Sequence, residues 1–314
     1  MIVTQNLTKK FDDFTAVNGV NLNVAAGELL ALLGPNGAGK TTTIRMLTSV
    51  LRPTHGSAKV AGYDVVENAT QVRAAVGVLT EHHGLYNRMR AREYLEFFGE
   101  LYGLSRDIRK ERAEKMLFDF GLQTAENQRI GEFSKGMRQK LALGRALLHK
   151  PRVLLLDEPT SAMDPASARL VRNEISALRS SERSIIICTH NLSEAEELAD
   201  RIAIIRRGKI IANDSPAALK QEMLGDPVYE VRFSESMNGN TPTLPHGVDI
   251  QERGEDWLRF ISNTPDVINP LVVKNLVKQG FHVVSIQEIS RSLEQVYLQA
   301  VSKSSDEEKE DRVR

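Results

Sequence analysis

The chain has 314 residues, which is enough for one large domain and a small one. Hydrophobic residues make up 41% of it and charged residues 26%, ordinary values for a globular protein. The 41 Lys and Arg residues balance the 41 Asp and Glu residues, and a net charge of zero argues against a dedicated nucleic-acid-binding protein.

The chain also lacks the usual marks of secretion. Cys188 is its single cysteine, so no internal disulfide can form, and we expect a reducing compartment. No apolar run approaches the ~18 residues of a membrane span. The start, MIVTQNLTKKF, lacks the basic and apolar regions of a signal peptide. We therefore expect a cytosolic protein unless a partner holds it at a membrane.

The first two thirds of the chain alternate between strand and helix patterns. ELLALLG (28–34) predicts a buried strand, followed by a Gly-rich loop and a helix from residue 41. Residues from about 85 to 150 predict a mostly helical subdomain. Strand patterns return in RVLLLD (152–157) and SIIICTH (184–190), each followed by a helix. Buried strands that alternate with helices predict an α/β domain over residues 1–224, with a parallel sheet covered on both faces.

A second, smaller domain is predicted beyond a linker at LGDP (224–227). Residues 227–302 contain strand patterns, a helix, a further strand and a further helix. This order predicts a small α+β domain, and a ferredoxin-like arrangement is one candidate. The tail, 303–314, is charged and poor in apolar residues, so we expect it to be disordered.

A phosphate-binding loop follows the first buried strand. GPNGAGKT (34–41) matches the pattern G-x-x-x-x-G-K-[ST] in full, between a strand and a helix. Glycines allow successive backbone N–H groups to surround phosphate oxygens. Lys40 can add positive charge, and the Thr41 hydroxyl can bind Mg²⁺. A Gly-rich turn with a surface lysine is the alternative, but such a turn would not need a strand before it and a helix after it.

Carboxylates and a histidine end two other predicted strands. VLLLDEP (153–159) ends in Asp157, which could hold Mg²⁺, and Glu158, which could accept a proton from an attacking water. His190 ends the strand SIIICTH, and we expect it to contact the γ-phosphate. Ligands of α/β sheets bind at the carboxyl ends of strands, which is where these residues fall. A helix-capping acid pair and a structural histidine are the alternatives.

Five motifs in order resemble the ATP-binding cassette (ABC) family over residues 1 to about 220. They are Walker A (GPNGAGKTT), the signature FSKGM (133–137), Walker B (VLLLDEP), the D-loop SAMD (161–164) and the switch histidine in CTHNL. No guanine-reading N-K-x-D is present, which argues against a GTPase. The resemblance implies a P-loop NTPase fold of the ABC ATPase type that binds and hydrolyses ATP with Mg²⁺.

The resemblance also implies roles for individual residues. Catalysis would involve Glu158, His190 and Glu81, and Mg²⁺ would be bound by Thr41, Asp157 and Glu81, which stands where the family usually has Gln. An aromatic ring, Phe11, would stack on adenine, although ordinary sheet packing is the alternative. The implied nucleotide contacts are Phe11, Gly34, Pro35, Asn36, Gly37, Ala38, Gly39, Lys40, Thr41, Thr42, Ser134, Gly136 and Asp164.

Ser134 is a good helix N-cap and Gly136 lets a ligand approach the backbone, so the start of the helix after FSKGM predicts a second anion site besides the Walker A loop. The family resemblance explains why one chain has both. Two cassettes of the family pack head to tail, so Ser134 and Gly136 would contact the nucleotide held by a partner's Walker A loop. The signature departs from the common L-S-G-G-Q at Phe133, Lys135 and Met137. A homodimer at the cytoplasmic face of a membrane, with a separate permease subunit, is therefore expected.

The chain also resembles the ATPases of multidrug and sodium-type exporters in three segments, GVLTE, FSKGMRQKLALGRALLHKP and SLEQVYLQAV. An ABC-type ATPase with a non-transport partner is the alternative.

Overall fold

A computed structural model describes residues 1–80, 84–161, 163–237 and 239–313, with side chains outside these gaps described as far as residue 304. The chain divides into two compact units, Met1–Pro216 and Ala217–Arg314. This division lies about ten residues before the linker that the sequence predicts. Within the described residues, no helix combines the length and apolar character needed to cross a membrane.

The first unit contains two sheets and a set of helices. Its strands are β1 (Ile2–Phe11), β2 (Phe14–Val24), β3 (Leu29–Leu33), β4 (His55–Val60), β5 (Tyr63–Asp64), β6 (Val76–Leu79), β7 (Val153–Asp157), β8 (Ser184–Thr189), β9 (Arg201–Arg206) and β10 (Lys209–Asp214). Its helices are α1 (Lys40–Leu47), α2 (Ala69–Ala75), α3 (Ala91–Leu101), α4 (Arg106–Asp119), α5 (Lys135–Leu147), α6 (Pro165–Ala177) and α7 (Leu192–Leu198). Short 3₁₀ helices lie at Gln123–Ala125 and Ile130–Glu132.

The larger sheet carries the central core of this unit. Its strand order is β10-β9-β3-β8-β7-β6, and all neighbours are parallel except β10 and β9. Every residue of β3, β7 and β8 is buried, because helices cover both faces of a parallel sheet. The uninterrupted apolar runs in the sequence follow from this burial. The carboxyl ends of β3, β7 and β8 consequently meet at one edge.

An antiparallel sheet and a helical region complete the first unit. The antiparallel strands have the order β2-β1-β4-β5, and Phe11 pairs with Phe14 where β1 turns into β2. The region predicted to be helical, 85–150, contains α3, α4 and α5. A second core cluster lies there, with Tyr94, Leu117 and Leu143 among its buried members.

The second unit is a four-stranded antiparallel sheet with helices. Its elements are α8 (Pro216–Leu224, which begins at the boundary), β11 (Val228–Phe233), β12 (Ile250–Arg253), β13 (Trp257–Ile261), α9 (Pro265–Lys278), β14 (Val283–Glu288) and α10 (Leu293–Val313). The strand order is β12-β13-β11-β14, and its core includes Val231, Phe260, Val272 and Leu276. Three strands precede α9, so the unit does not have the ferredoxin-like order. Helix α10 runs through most of the segment that the sequence predicts to be disordered, 303–314, and the disorder of that segment stays a prediction.

Candidate functional site

The Walker A loop, residues 34–41, connects β3 to α1. At two positions of this loop, Gly34 and Gly39, the neighbouring backbone leaves no space for a side chain. A Cβ on Gly34 would lie 2.3 Å from the carbonyl oxygen of Ile205. Gly39 has a φ of +108°, and a Cβ there would lie 2.6 Å from the carbonyl oxygen of Ala16. Both approaches are closer than any side chain allows. These two glycines therefore let the loop pack tightly against its neighbours and place Lys40 at the first turn of α1.

Lys40 is a buried cation with several oxygen partners. Its side chain is only 5% exposed, and its Nζ donates to the carbonyl oxygens of Gly34, at 2.6 Å, and Pro35, at 3.2 Å. The Nζ also lies 3.2 Å from Oε1 of Glu158. A buried ammonium group requires such partners because water no longer solvates it. The lysine is thus held between the loop and the end of β7.

Two oxygen-bearing side chains meet beside Lys40. The Thr41 hydroxyl donates to Oδ2 of Asp157 at 2.8 Å, and Asp157 is buried at the end of β7. Among the described residues, no group of three or more His, Cys, Asp and Glu side chains could hold a metal ion. One carboxylate and one hydroxyl fit Mg²⁺, which keeps several waters and is usually completed by substrate phosphates.

Glu158 lies at the centre of the site in an unusual backbone conformation. Its φ is +52°, a region that non-glycine residues rarely adopt, and its N–H donates to the carbonyl oxygen of Cys188 at 2.8 Å. Its Oε2 lies 2.8 Å from Nδ1 of His190, whose side chain is half exposed. The carboxylate therefore lies between the ammonium group of Lys40 and the imidazole ring. The structure brings together the ends of β3, β7 and β8, as the sequence indicates.

Cys188, close to these strand ends, is an unreactive cysteine. Cys188 is fully buried on β8, and burial raises the pKa of its thiol. A thiol with a raised pKa stays protonated and unreactive near neutral pH. Cys188 is therefore part of the hydrophobic core, as the sequence predicts.

A cavity of about 210 Å³ opens beside the Walker A loop. Phe14 and Ala16 line it together with Glu158 and much of the loop. The loop residues on its wall are Pro35, Asn36, Gly37, Gly39, Lys40, Thr41 and Thr42. Phe11 is not on this wall: the residue is 44% exposed, and the Nζ of Lys9 lies 5.1 Å from the centroid of its ring. Sequence reasoning missed Phe14, although its pairing with Phe11 across the hairpin could have indicated it.

The signature turn, Phe133–Met137, forms the start of α5 and lies far along the chain from the Walker A loop. Ser134 is the N-cap of α5, and its Oγ accepts from the N–H of Met137 at 3.2 Å. Phe133 is buried beneath the turn, whereas a Cβ on Gly136 would meet no atom within 4 Å. Among the described residues that line the cavity, none belongs to the signature turn. A single chain therefore does not bring Ser134 and Gly136 to the Walker A loop.

The remaining candidates from the sequence are Asp164 and Glu81. Asp164 is the N-cap of α6, and its Oδ1 accepts from the N–H of Ser167 at 3.0 Å. Hydrogen bonds from Ser167 lower the pKa of the Asp164 carboxyl group, which is exposed. Asp164 thus has a structural role within its own chain. Glu81 lies outside the described residues.

One buried acid near the site was not predicted from the sequence. Glu194 on α7 is fully buried, and its Oε1 accepts from the Thr160 hydroxyl at 2.9 Å. Burial raises the pKa of its carboxyl group. The sequence offers no clear signal for this role, because a glutamate in SEAEEL resembles one on a solvated helix face. Glu194 joins the helix after His190 to the loop after Glu158.

Comparisons with known proteins identify the family. A family model described as ABC transporter matches residues 17–161. The ABC transporter ATP-binding protein NatA of Bacillus subtilis is 39% identical over 243 residues, which cover 76% of this chain and 95% of that protein. The chain belongs to the ABC transporter ATP-binding proteins. The daunorubicin resistance ATP-binding protein DrrA3 of Streptomyces coeruleorubidus is 37% identical over 299 residues, 95% of this chain and 94% of that protein.

The fold agrees with this assignment. A solved structure of the ATP-binding subunit of an ABC transporter has a TM-score of 0.66 and 26% sequence identity, covering 72% of this chain and 94% of that structure. As an ABC transporter ATP-binding protein, the chain is a nucleotide-binding ATPase with a P-loop NTPase fold. The family resemblance stated from the motifs is therefore confirmed.

Proposed function

We propose that Lys40, Asp157, Glu158 and His190 form the catalytic half of an ATP site that powers transport through a separate membrane subunit. The observation that carries this proposal is the meeting of three strand ends, where Glu158 lies within 3.2 Å of Lys40 and 2.8 Å of His190. This arrangement places a base, the Glu158 carboxylate, beside the ammonium group of Lys40 and the imidazole ring of His190, around one phosphate position.

Glu158 is the general base in this proposal. Its carboxylate takes a proton from a water whose oxygen forms a bond to the γ-phosphorus, while the bond from that phosphorus to the ADP oxygen breaks. His190 orients the carboxylate through Oε2 and contacts the γ-phosphate with its other edge. Lys40 exchanges its carbonyl partners for phosphate oxygens and stabilises the charge that develops on them.

Mg²⁺ would be held by Thr41 and Asp157, whose oxygens already meet at 2.8 Å. Bound there, the ion would neutralise charge on the phosphate oxygens. We propose Glu81 as a third ligand that transmits the nucleotide state toward the membrane subunit. Glu81→Gln should be tolerated because an amide oxygen can still bind the ion, whereas Glu81→Ala should reduce the stimulation of ATPase by the membrane subunit. Equal stimulation in both variants and the wild type would remove this role.

The signature turn supports a head-to-tail homodimer. Ser134 is exposed, Gly136 has open space above its backbone, and neither lines the cavity of its own chain. A helix N-terminus with free approach is suited to bind an anion from outside. We infer that these residues, with Asp164 nearby in sequence, complete the site of a second copy. Each dimer then has two composite ATP sites.

The membrane subunit is proposed to dock beside Tyr86, at the cytoplasmic face of the cell membrane. Tyr86 and Phe97 are exposed, and their rings lie 6.0 Å apart. Phe97 lines a groove that includes Met89, Arg90 and Glu93. Exposed aromatic rings beside a groove are typical of protein interfaces. Relatives named for multidrug transport and daunorubicin resistance support an exporter.

The second unit is proposed to be an accessory domain that is separable from ATP chemistry. All residues of the proposed catalytic half lie before residue 191, and the unit has its own core around Phe260. Deleting residues 227–302 should preserve ATP binding. A truncated chain that folds but no longer binds nucleotide would contradict this division.

Glu158→Gln tests the proposed function most simply. The amide cannot accept the proton, so steady-state ATPase should fall at least about a hundredfold while ATP binding persists. Glu111→Gln, on the exposed part of α4, is the matched control and should keep wild-type activity. Undiminished hydrolysis in Glu158→Gln would remove the role of this carboxylate.

A further inference from the structure

Lys135 makes an unexpected contact at the start of α5. It stands where the common signature has glycine, next to Ser134. Its Nζ donates to the carbonyl oxygen of Ser161 at 3.0 Å. Ser161 lies three residues after Glu158, at the end of a segment that we call the catalytic loop, residues 158–161. The side chain is thus directed toward its own chain's catalytic loop.

A second donor on the same helix face binds the same loop. Gln139 follows Lys135 by four residues, which places both side chains on one face of α5. Gln139 is buried, and its Nε2 donates to the carbonyl oxygen of Pro159. Two side chains of α5 therefore hold two carbonyl groups of one four-residue loop.

Two further contacts of the catalytic loop come from buried groups. The N–H of Glu158 donates to Cys188 at 2.8 Å, and the Thr160 hydroxyl donates to Glu194 at 2.9 Å. The contact with Lys135 holds the end of the loop that is farthest from Glu158. Lys135 itself is exposed, so its position can change without disturbing the core.

The backbone of Glu158 gives this contact its importance. A φ of +52° is costly for a glutamate, and such conformations persist only where several contacts enforce them. The direction of the carboxylate depends on this backbone, so a loop released at Ser161 can turn the carboxylate away from the attacking water. A displacement of about 1 Å is enough to slow an enzyme strongly.

We propose that Lys135 is a positioning residue for Glu158 of its own chain, acting through the Ser161 carbonyl. This inference rests on the proposed role of Glu158 in hydrolysis. It differs from a direct role in which Lys135 would join Ser134 in contacting a partner's nucleotide. The two roles place the effect of Lys135 in different ATP sites of a dimer.

The first test uses single variants of the full chain. Lys135→Met keeps most of the side-chain length but removes the donor, and it should lower kcat about three- to tenfold, as loss of one hydrogen bond of ordinary strength does. The KM for ATP should stay the same because the Walker A loop is untouched. Lys135→Arg retains donors and should recover most of the loss. Lys110→Met, at an exposed position on α4, controls for the lost charge.

Mixed dimers with different affinity tags decide which site Lys135 serves. One chain carries Glu158→Gln, so hydrolysis occurs only at the site that uses the other chain's Glu158. Lys135→Met is then placed either on the chain with the working Glu158 or on the Glu158→Gln chain, whose Ser134 faces that working site. The reference is the same mixed dimer with Lys135 in both chains.

The proposal predicts a lower kcat when Lys135→Met is on the chain with the working Glu158, and a kcat equal to the reference when it is on the other chain. Loss of rate in the second placement alone would show a direct contact with the partner's nucleotide and overturn the proposal. An unchanged rate in both placements would also overturn it. A wild-type homodimer that hydrolyses no ATP would contradict the proposed function itself, and the role of Lys135 with it.

Discussion

His149, just after α5, should make the first unit sensitive to acid. Its ring stacks on Tyr102 with centroids 3.9 Å apart, and its Nε2 lies 3.1 Å from the carbonyl oxygen of Val76. Its Nδ1 is buried and has no hydrogen-bond partner among the described residues. Burial, with a smaller effect from Arg112, lowers the pKa of His149 from 6.5 to about 4.

The sign and size of the effect follow from linkage. The unfolded chain binds a proton at His149 between about pH 6.5 and pH 4, whereas the folded chain does not. The stabilisation is therefore fully present above about pH 6.5 and is lost as the pH falls through about 4. The two pKa values differ by about 2.5, and each pKa step corresponds to about 1.4 kcal/mol, which gives at most about 3 kcal/mol.

Denaturant unfolding followed by circular dichroism, from about pH 7.5 to about pH 4, measures this contribution. His149→Phe keeps a ring against Tyr102 but cannot bind a proton, so its unfolding free energy should fall less with acid than that of the wild type. The gap between the two pH profiles should grow by up to about 3 kcal/mol. His55→Phe changes an exposed ring of the same unit and is the matched control. Parallel profiles for wild type and His149→Phe would refute the reasoning.

Further substitutions test other parts of the account. Gly34→Ala should abolish ATP binding without unfolding the protein, because its Cβ would lie 2.3 Å from the Ile205 carbonyl oxygen and displace the loop; normal affinity by calorimetry would contradict this. Phe11→Ala should weaken ATP binding about tenfold if its ring stacks on adenine, and a loss only in Phe14→Ala would assign the stacking to the ring that lines the cavity. The raised pKa of Glu194 contributes stabilisation that is fully present below about pH 4.5 and is lost as the pH rises. Glu194→Gln should therefore make the free energy of unfolding depend less on pH above about 4.5. An unchanged pH dependence in chemical unfolding would exclude this.

Parts of the fold that depend on local pattern could be predicted from the sequence. The runs LLALL and VLLLD are apolar throughout because both faces of their strands are covered, and this predicts parallel strands with ligands at their carboxyl ends. The Walker A pattern predicts the position of Lys40. Its glycines are required because the loop packs closely against neighbouring backbone atoms, and this packing fixes the start of α1. These signals lie within a few residues of each other along the chain.

Other features depend on contacts between distant residues, which no local pattern reveals. β12 is a short strand with the sequence IQER, mostly exposed, and the sequence gives no pattern for it. The ferredoxin-like candidate was wrong because no helix lies among the described residues between the first two strands of the second unit. The contacts that Glu194 and Gln139 make with the catalytic loop join residues 20 or more positions apart. Their side chains are polar and resemble surface residues until the packing around them is known.

Complementation between two inactive variants tests the central claim, that two copies of the chain form composite ATP sites. Lys40→Ala should inactivate a chain's own Walker A loop, and Ser134→Arg should inactivate its signature turn, so each variant alone should hydrolyse almost no ATP. In a mixed dimer, the Walker A loop of the Ser134→Arg chain faces the intact signature turn of the Lys40→Ala chain. Equal mixing should restore about a quarter of the wild-type ATPase rate, since half of randomly paired dimers are mixed and one of their two sites is intact. No recovery on mixing, or full activity in Ser134→Arg alone, would contradict the claim.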